Sequence, residues 1–298
     1  MSVTVVGSLA LDTVETPWGR NEEGLGGSAT YFALAAINYT DVNLVGAVGE
    51  DFPPEHTQLF ERKGVNLDGL ERVQGKTFRW TGRYHDDVNC RDTLDTQLNV
   101  FEHFHPKLPP KARQAQYLFL GNIHPSLQAE VLDQAAANFT ALDTMNLWMD
   151  TALDELKAVL RRVDALLIND AEARQLAGQK SLVRAAQAIH ALGPAVVVIK
   201  KGEHGCLLFT AGHVFAAPAL PLAEVRDPTG AGDSFAGGFM GYLARQNAAD
   251  FDSLRRAVVE GTAVASFACE AFGPSRLADM DLNAIQERVQ ALRDLTSF

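Results

Sequence analysis

Gly230, Ala231 and Gly232 stand in a row within EVRDPTGAGDSFAGGFMGYL, residues 224–243, and an acid, Asp233, follows them directly. Residues this small leave their backbone N–H groups free to close around an anion. The stretch then runs into a helix, whose first N–H groups lack internal partners and form the positive end of its dipole. A turn of this kind leading into a helix is an anion site, with phosphate its usual occupant. A carboxylate inside the cradle repels an anion unless it serves another purpose. Two roles fit Asp233: it caps the helix, for which Asp is well suited, or it takes a proton.

Other residues could join it. Asn169 and Glu172 close the strand-like run DALLIN as N-x-x-E, and the ends of strands in α/β sheets are where ligands sit. By itself NDAE also reads as a helix N-terminus, where Asp and Glu meet the dipole. Asp12 follows the first apolar run, and the pair Gly26-Gly27 precedes a long apolar-periodic stretch. Paired glycines allow a substrate close to the backbone, although a plain loop with an exposed acid reads equally well. His103 and His105 form an H-x-H that would share one face of a strand, but no third ligand accompanies them. Ser234 lacks the G-x-S-x-G elbow of a hydrolase triad. A dinucleotide fingerprint is missing too, because GSLALD after the first strand has no second or third glycine.

PTGAGD followed by SFAGGF resembles the C-terminal signature of the ribokinase-like (PfkB) carbohydrate kinases. The resemblance implies that Gly230, Ala231 and Gly232 form the anion hole for a transferred phosphoryl group and that Asp233 is the catalytic base. It implies that Asn169 and Glu172 organise Mg²⁺, largely through water, together with the triphosphate of ATP. An amide and one carboxylate suit that ion, which prefers oxygen ligands and keeps several waters. Asp12, Gly26 and Gly27 would hold the hydroxyls of the acceptor. Asn146, in LDTMNLW, would lie near the phosphates, and Lys201, Gly202 and Gly205 of KKGEHG beside the nucleotide. Asp227, with backbone from about 265–273 and Gly-Pro-Ser at 273–275, falls where family members bind a monovalent cation such as K⁺. One position departs from the pattern. Many sugar kinases of the family carry Asn four residues after the second glycine, where this chain has Tyr31.

The elements that must position these residues read as an alternation. SVTVVG (2–7), VNLVGAVG (42–49), QYLFLG (116–121), FTALDT (139–144), DALLIN (164–169) and PAVVVIK (194–200) read as buried strands. Between them lie helical patterns at 26–39, 53–64, 125–138 and 153–162, the second with Pro at its start and Gly at its end. Strand-helix alternation builds a parallel sheet covered by helices. GCLLF (205–209) and HVFAA (213–217) read as a hairpin, and from residue 231 the chain reads as mostly helical: the helix of the glycine-rich stretch, then roughly 252–270 and 280–294. Between 65 and 105 the rhythm breaks. KTFRWTGRYHDD (76–87) alternates with a period of two, a half-buried strand with one wet face, and TQLNVFEHF (96–104) reads as another. The expectation is a single α/β domain over 1–298: a ribokinase-like three-layer sandwich with a mainly parallel central sheet flanked by helices. A small β-lid from about 12–24 and 72–105 would cover it, and the resemblance implies a homodimer through that lid.

Composition narrows the partners. With 298 residues, 47% hydrophobic, and a net charge of −11, the chain lacks the basic surface that nucleic acid requires. Three cysteines lie far apart with no CxxC, which suggests neither a disulfide framework nor a metal site and fits a reducing, cytoplasmic setting. The first residues have no basic n-region, and no apolar run reaches membrane-span length. The functional expectation is transfer of the γ-phosphoryl group of ATP to a primary hydroxyl of a sugar or sugar-like molecule. Tyr31 and the lid aromatics lean towards a bulkier sugar or a nucleoside. The alternatives are a nucleoside kinase on the same fold and a catalytically idle ligand sensor.

Overall fold

The structure, a computed structural model, describes residues 1–297. Its larger sheet contains β1 (Ser2–Val6), β4 (Asp41–Gly49), β5 (Asn66–Val73), β8 (Tyr117–Leu120), β9 (Phe139–Asp143), β10 (Ala165–Asn169), β11 (Val196–Lys200), β12 (Cys206–Thr210) and β13 (His213–Ala217). The smaller sheet contains β2 (Ala10–Thr16), β3 (Gly19–Gly26), β6 (Phe78–Tyr84) and β7 (Arg91–Gln97). The larger sheet is ordered β13-β12-β11-β10-β9-β8-β1-β4-β5 and the smaller one β3-β2-β6-β7. From β11 to β5 every pairing is parallel; β11–β12 and β12–β13 are antiparallel.

Three layers follow from the strand sequences. Successive side chains of a strand point to opposite faces, and here both faces are apolar. Tyr117, Phe119, Leu167 and Val198 join one core cluster, with the helices Ser28–Ala36, Ala231–Gln246 and Phe251–Ala268. Leu118, Leu120, Leu166, Ile168, Val197 and Ile199 join the other, with Leu153–Leu160 and Leu182–His190. A strand buried on both faces reads as a continuous apolar run, as VVVIK does.

β1 has β4 on one side and β8 on the other. The chain therefore reverses its direction of travel across the sheet at β1, and the crevice beyond the C-terminal ends of such strands is where open α/β sheets take ligands. The smaller sheet lies off the same end, because β2 follows β1 after a short link and Gly26 leads straight into the helix Ser28–Ala36. It is the lid.

Several expected boundaries move. The second strand of the lid's later half is Arg91–Gln97, not 96–104, and a 3-10 turn, Asn99–His103, follows it. Phe101 and Phe104 are the cause: their spacing puts both rings on one side of the turn. They stack on each other at 5.1 Å, and Phe101 reaches Phe78 at 5.9 Å. His103 thus sits in a turn, and His105 pairs with Glu130 at 3.3 Å. Residues Asn66–Val73 join the larger sheet beside β4. The helix expected over 125–138 stops at Leu132, since Ala136 and Asn138 donate their N–H groups to Arg113 and Gln116 instead. The helix Pro54–Lys63 ends as its sequence indicates, on Gly64 in the left-handed region at φ 82°.

Candidate active site

The helix Ala231–Gln246 starts on Gly230, which has φ 74° and offers no side-chain cap. Asp233 is the third helical residue and does not cap, so that reading of the acid is set aside. Gly230 can be nothing larger. A Cβ there would stand 2.3 Å from atoms of the Tyr31 ring, which lies flat beneath the turn and is buried. Tyr31 is therefore a support under the anion loop. The small residues of SFAGGF are explained by close approach: a Cβ at Gly237 would meet Phe32 O at 2.5 Å, and one at Gly238 would meet Gly261 at 3.0 Å. Two flanking helices thereby pack tightly enough to fix the direction in which this N-terminus points. Ala231 donates its N–H to Pro228 O at 3.2 Å and Ser234 to Gly230 O at 2.8 Å. Among the described residues no acceptor takes the N–H of Gly230 or Gly232.

Asp227 anchors the base of this loop. It is 1% exposed, and its two oxygens accept the N–H groups of Thr229 at 2.9 Å and Gly273 at 3.2 Å. It acts here as a strut between the loop and the Gly-Pro-Ser turn.

Asp12 lies on β2, across from Gly26-Gly27. A Cβ at Gly26 would fall 1.9 Å from Asp12 Oδ2, and one at Gly27 (φ 93°) 2.4 Å from Ser8 O. The two glycines are what allow the carboxyl to sit here. Oδ1 is buried with no hydrogen-bond partner. An orphaned acceptor of that kind costs free energy, and a ligand hydroxyl would satisfy it. Burial pushes the Asp12 carboxyl up to about 7; the Gly27 N–H opposes this, while Asp227 and Asp233 add to it and Arg91 subtracts. The folded value exceeds the unfolded one, so the fold retains a proton that the unfolded chain has lost. Stability therefore falls as pH rises between about 4 and 7, by up to ~4 kcal/mol from this group. Asp12→Asn is expected to raise the melting temperature by several degrees at pH 8 and to leave it unchanged near pH 4. Thermal denaturation at the two pH values checks this, and equal melting points at pH 8 would refute the desolvation argument.

At the ends of β9, β10 and β11 three charged side chains converge. Asn169 and Glu172 form a capping box: the Asn169 side chain accepts the Glu172 N–H at 2.8 Å, and Glu172 Oε2 accepts the Asn169 N–H at 3.0 Å. Burial pushes the Glu172 carboxyl up to about 7, with Asp143 adding and Lys200 opposing. Lys200 donates to Asp143 Oδ2 at 3.2 Å. Its Nζ lies 3.0 Å from where a Cβ of Gly232 would stand, so it rests against the anion turn. Asp233 is raised by burial and by Asp143, against the pull of Lys200 and Arg91.

The expected residues divide accordingly. The structure draws Asp12, Gly26, Gly27, Gly230, Gly232, Asp233 and Glu172 into one neighbourhood: Asp12 and Asp233 feel each other's charge, and Glu172 joins them through Asp143 and Lys200. Among the described residues the Lys201 side chain has no hydrogen-bond partner, and its N–H donates to Gly205 O at 2.7 Å. Gly205 is demanded by geometry, for a Cβ there would meet Ala217 O at 2.0 Å. Asn146 opens the short helix Asn146–Thr151 and is exposed. Lys200 and Asp143 went unnoticed in the sequence. One signal was present: a lysine ending VVVIK, on the very strand end where ligands bind, one residue before the one singled out.

The lid is closed onto this cleft. Thr229 Oγ1 donates to Tyr84 Oη at 3.2 Å, linking β6 to the anion loop. Tyr84 pairs with Arg91 across the hairpin, so both side chains share the face that looks into the cleft. Arg91 also stands over the Trp80 ring at 5.4 Å. At the hairpin tip Asn89 lies 2.1 Å from where a Cβ of Gly202 would be. The lid thus touches both the anion loop and the turn after β11.

A sandwich of this topology, with a helix N-terminus whose Gly230 and Gly232 N–H groups are free among the described residues near a buried acid under a β-lid, is that of a ribokinase-like phosphotransferase acting on an alcohol group. The description "pfkB family carbohydrate kinase" matches residues 2–279, and the chain belongs to that family. It is 29% identical to the cytidine kinase of Thermococcus kodakarensis over 252 residues, 82% of this chain and 89% of that one. The fold is also that of the nucleoside kinase of Methanocaldococcus jannaschii, with a TM-score of 0.80 at 20% identity over 97% of this chain and 98% of that one. A putative ribokinase II from E. coli, in complex with ATP and Mg²⁺, superimposes with a TM-score of 0.77 at 19% identity, covering 97% and 99%. Among the described residues no helix is long and apolar enough to cross a membrane.

Proposed function

We propose that this protein is an ATP-dependent kinase that phosphorylates the primary hydroxyl of a nucleoside, with Asp233 as general base. One observation carries the reading: the cleft sets Asp233, on the anion-binding helix, opposite Asp12 with its unpaired buried oxygen. One carboxyl awaits a hydroxyl that stays, and the other is placed beside the phosphoryl group that moves. Asp12 and the Gly26-Gly27 backbone hold the sugar hydroxyls and present the primary hydroxyl to Asp233. Asp233 accepts its proton as the new O–P bond forms, and the bond from the γ-phosphorus to the bridging oxygen breaks, leaving its electron pair on ADP. The free N–H groups of Gly230 and Gly232 stabilise the charge on the equatorial oxygens; such reactions rely on positioning and electrostatics.

Mg²⁺ fits the donor set. Glu172 commits Oε2 to its cap and is held in a poor environment for its charge by burial and by Asp143; a cation nearby relieves both. Among the described residues no three His, Cys, Asp or Glu side chains gather as a metal cluster, which suits an ion that takes most of its ligands from phosphates and water. Bound there, Mg²⁺ would neutralise charge on the phosphates.

The nucleoside rather than a free sugar is favoured by the T. kodakarensis relative, a cytidine kinase matched along most of both chains. It is favoured also by Tyr31, which supports the anion loop and so makes no room for an Asn contact to a small sugar. The test is ADP release with ATP and Mg²⁺ across nucleosides, pentoses, hexoses and hexose phosphates. A nucleoside raising turnover well above the background supports the proposal; a free sugar doing so instead keeps the kinase and overturns the acceptor.

The pH profile gives a second check. Because burial and Asp143 raise the Asp233 carboxyl, the base form is present above the raised value and lost as pH falls through it. The acid limb of kcat/KM is expected near neutrality, not near pH 4, where an ordinary carboxylate would place it.

A further inference from the structure

Lys200 is placed unlike an ordinary lysine at a strand end. Its side chain is only 17% exposed, and one partner, Asp143 at 3.2 Å, accounts for its protein hydrogen bonds. An ammonium has three donors, so two remain. The Nζ lies against Gly232, 3.0 Å from where a Cβ would stand, on the turn where, among the described residues, the N–H groups of Gly230 and Gly232 have no acceptor. An alanine at that position would crowd the ammonium, so the glycine run serves the lysine as well as the anion. Asp143 in turn is held by the Thr144 N–H, which donates to Oδ1 at 2.7 Å. The lysine is thereby fixed from one side, and among the described residues its other two donors take no protein acceptor.

We propose that Lys200 is a catalytic residue of this kinase: its ammonium, aimed by Asp143, binds the γ-phosphoryl group and stabilises it during transfer. The proposal rests on the kinase reading above. Lys200 supplies a fixed positive charge from the floor of the cleft, beside the helix N-terminus, at the oxygens where charge is spread in the transition state. Asp143 is a positioning residue. Burial by itself would lower the lysine's proton affinity, but Asp143, Glu172 and Asp233 outweigh it and keep the ammonium charged well above neutrality.

Lys200→Met keeps the length of the side chain and removes the charge. It is expected to lower kcat about 10²–10³-fold, with the KM for the acceptor little changed. A non-hydrolysable ATP analogue should bind about tenfold more weakly while ADP binding is unaffected, a readout that needs no acceptor. The acid limb of the pH profile should move upwards in Lys200→Met, because the ammonium holds the Asp233 carboxyl down, and downwards in Asp143→Asn, because Asp143 holds it up; Glu172 and Arg91 are present in both variants. Lys200→Met leaves Asp143 unpaired and could fail to fold for that reason. The double variant Lys200→Met/Asp143→Asn removes both charges, so it should recover the melting temperature without recovering kcat. Recovery of kcat together with stability in the double variant would reduce Lys200 to a structural role, and unchanged analogue binding and kcat in Lys200→Met would overturn the proposal. Absence of kinase activity in the parent across all acceptors, with the analogue-to-ADP preference still lost in Lys200→Met, would overturn the acceptor reading and leave the phosphoryl contact standing.

Discussion

Asp233→Asn is expected to fold, to bind ATP, and to turn over about 10²–10⁴-fold more slowly than the parent protein. The substitution keeps the size of the side chain at the third residue of a helix that no side chain caps, so the local backbone has no reason to change. What it removes is proton affinity. Burial and the neighbouring Asp143 raise that affinity, while Lys200 and Arg91 moderate it, and the balance suits a group that must hold a proton during one step and release it afterwards. An asparagine cannot take the proton, and the attacking hydroxyl then remains a weak nucleophile. The expected loss corresponds to roughly 3–5 kcal/mol of the barrier. ADP release with a saturating acceptor measures it, and nucleotide binding by calorimetry provides the control. Turnover within a factor of a few of the parent would remove Asp233 from the reaction. Loss of nucleotide binding alongside activity would mean instead that the carboxylate shapes the turn.

Gly230→Ala should damage both stability and activity, from one cause. The residue has φ 74°, and the added methyl group would be directed into the Tyr31 ring at 2.3 Å. The left-handed backbone costs a residue with a side chain about 1–2 kcal/mol, and overpacking a close-packed contact a further 1–3 kcal/mol or so. Neither neighbour can yield cheaply. Tyr31 is 2% exposed within the core, and the loop is held at Asp227 by both carboxylate oxygens. The strain is expected to displace the turn, and a shift of about 1 Å in a reacting geometry is enough for some 10²-fold in rate. Gly212→Ala is the matched control. It has φ 79° with nothing within 4 Å of the added atom, so it should show the backbone cost and no loss of turnover. If the two variants behave alike, the Tyr31 contact does not constrain the site.

The lid shows where reading a strand pattern reached its limit. Phe78, Trp80, Gly82 and Tyr84 alternate along β6 as half-buried positions do, and the strand forms there. The partner strand was misplaced because TQLNVFEHF has the same apolar content as a strand. What decides against it is the packing of Phe101 on Phe78 and on Phe104 in a core that exists only once the lid is folded. Likewise the N-x-x-E at 169–172 is a capping box at the level of local geometry, and only burial and the convergence of Asp143 and Lys200 around it give Glu172 a charge environment worth noticing.

The sequence by itself determined the alternating α/β layout, because the strands are apolar on both faces and the helices on one, and such periods survive without knowledge of the partners. It indicated the glycine turn as well, since Gly230 and Gly232 before a helix form a local structure whose N–H groups, among the described residues, are free for a local reason. The tertiary structure alone decided which residues, distant in the chain, face that turn. Lys200 and Asp143 lie 57 residues apart and Thr229 and Tyr84 lie 145 apart. No local period records such pairs: they arise from neighbouring strand ends in a parallel sheet and from a lid folded back across it. The phosphate chemistry is legible because it is built from consecutive residues, and the charge balance that tunes it is not, because burial and the field of remote side chains set it.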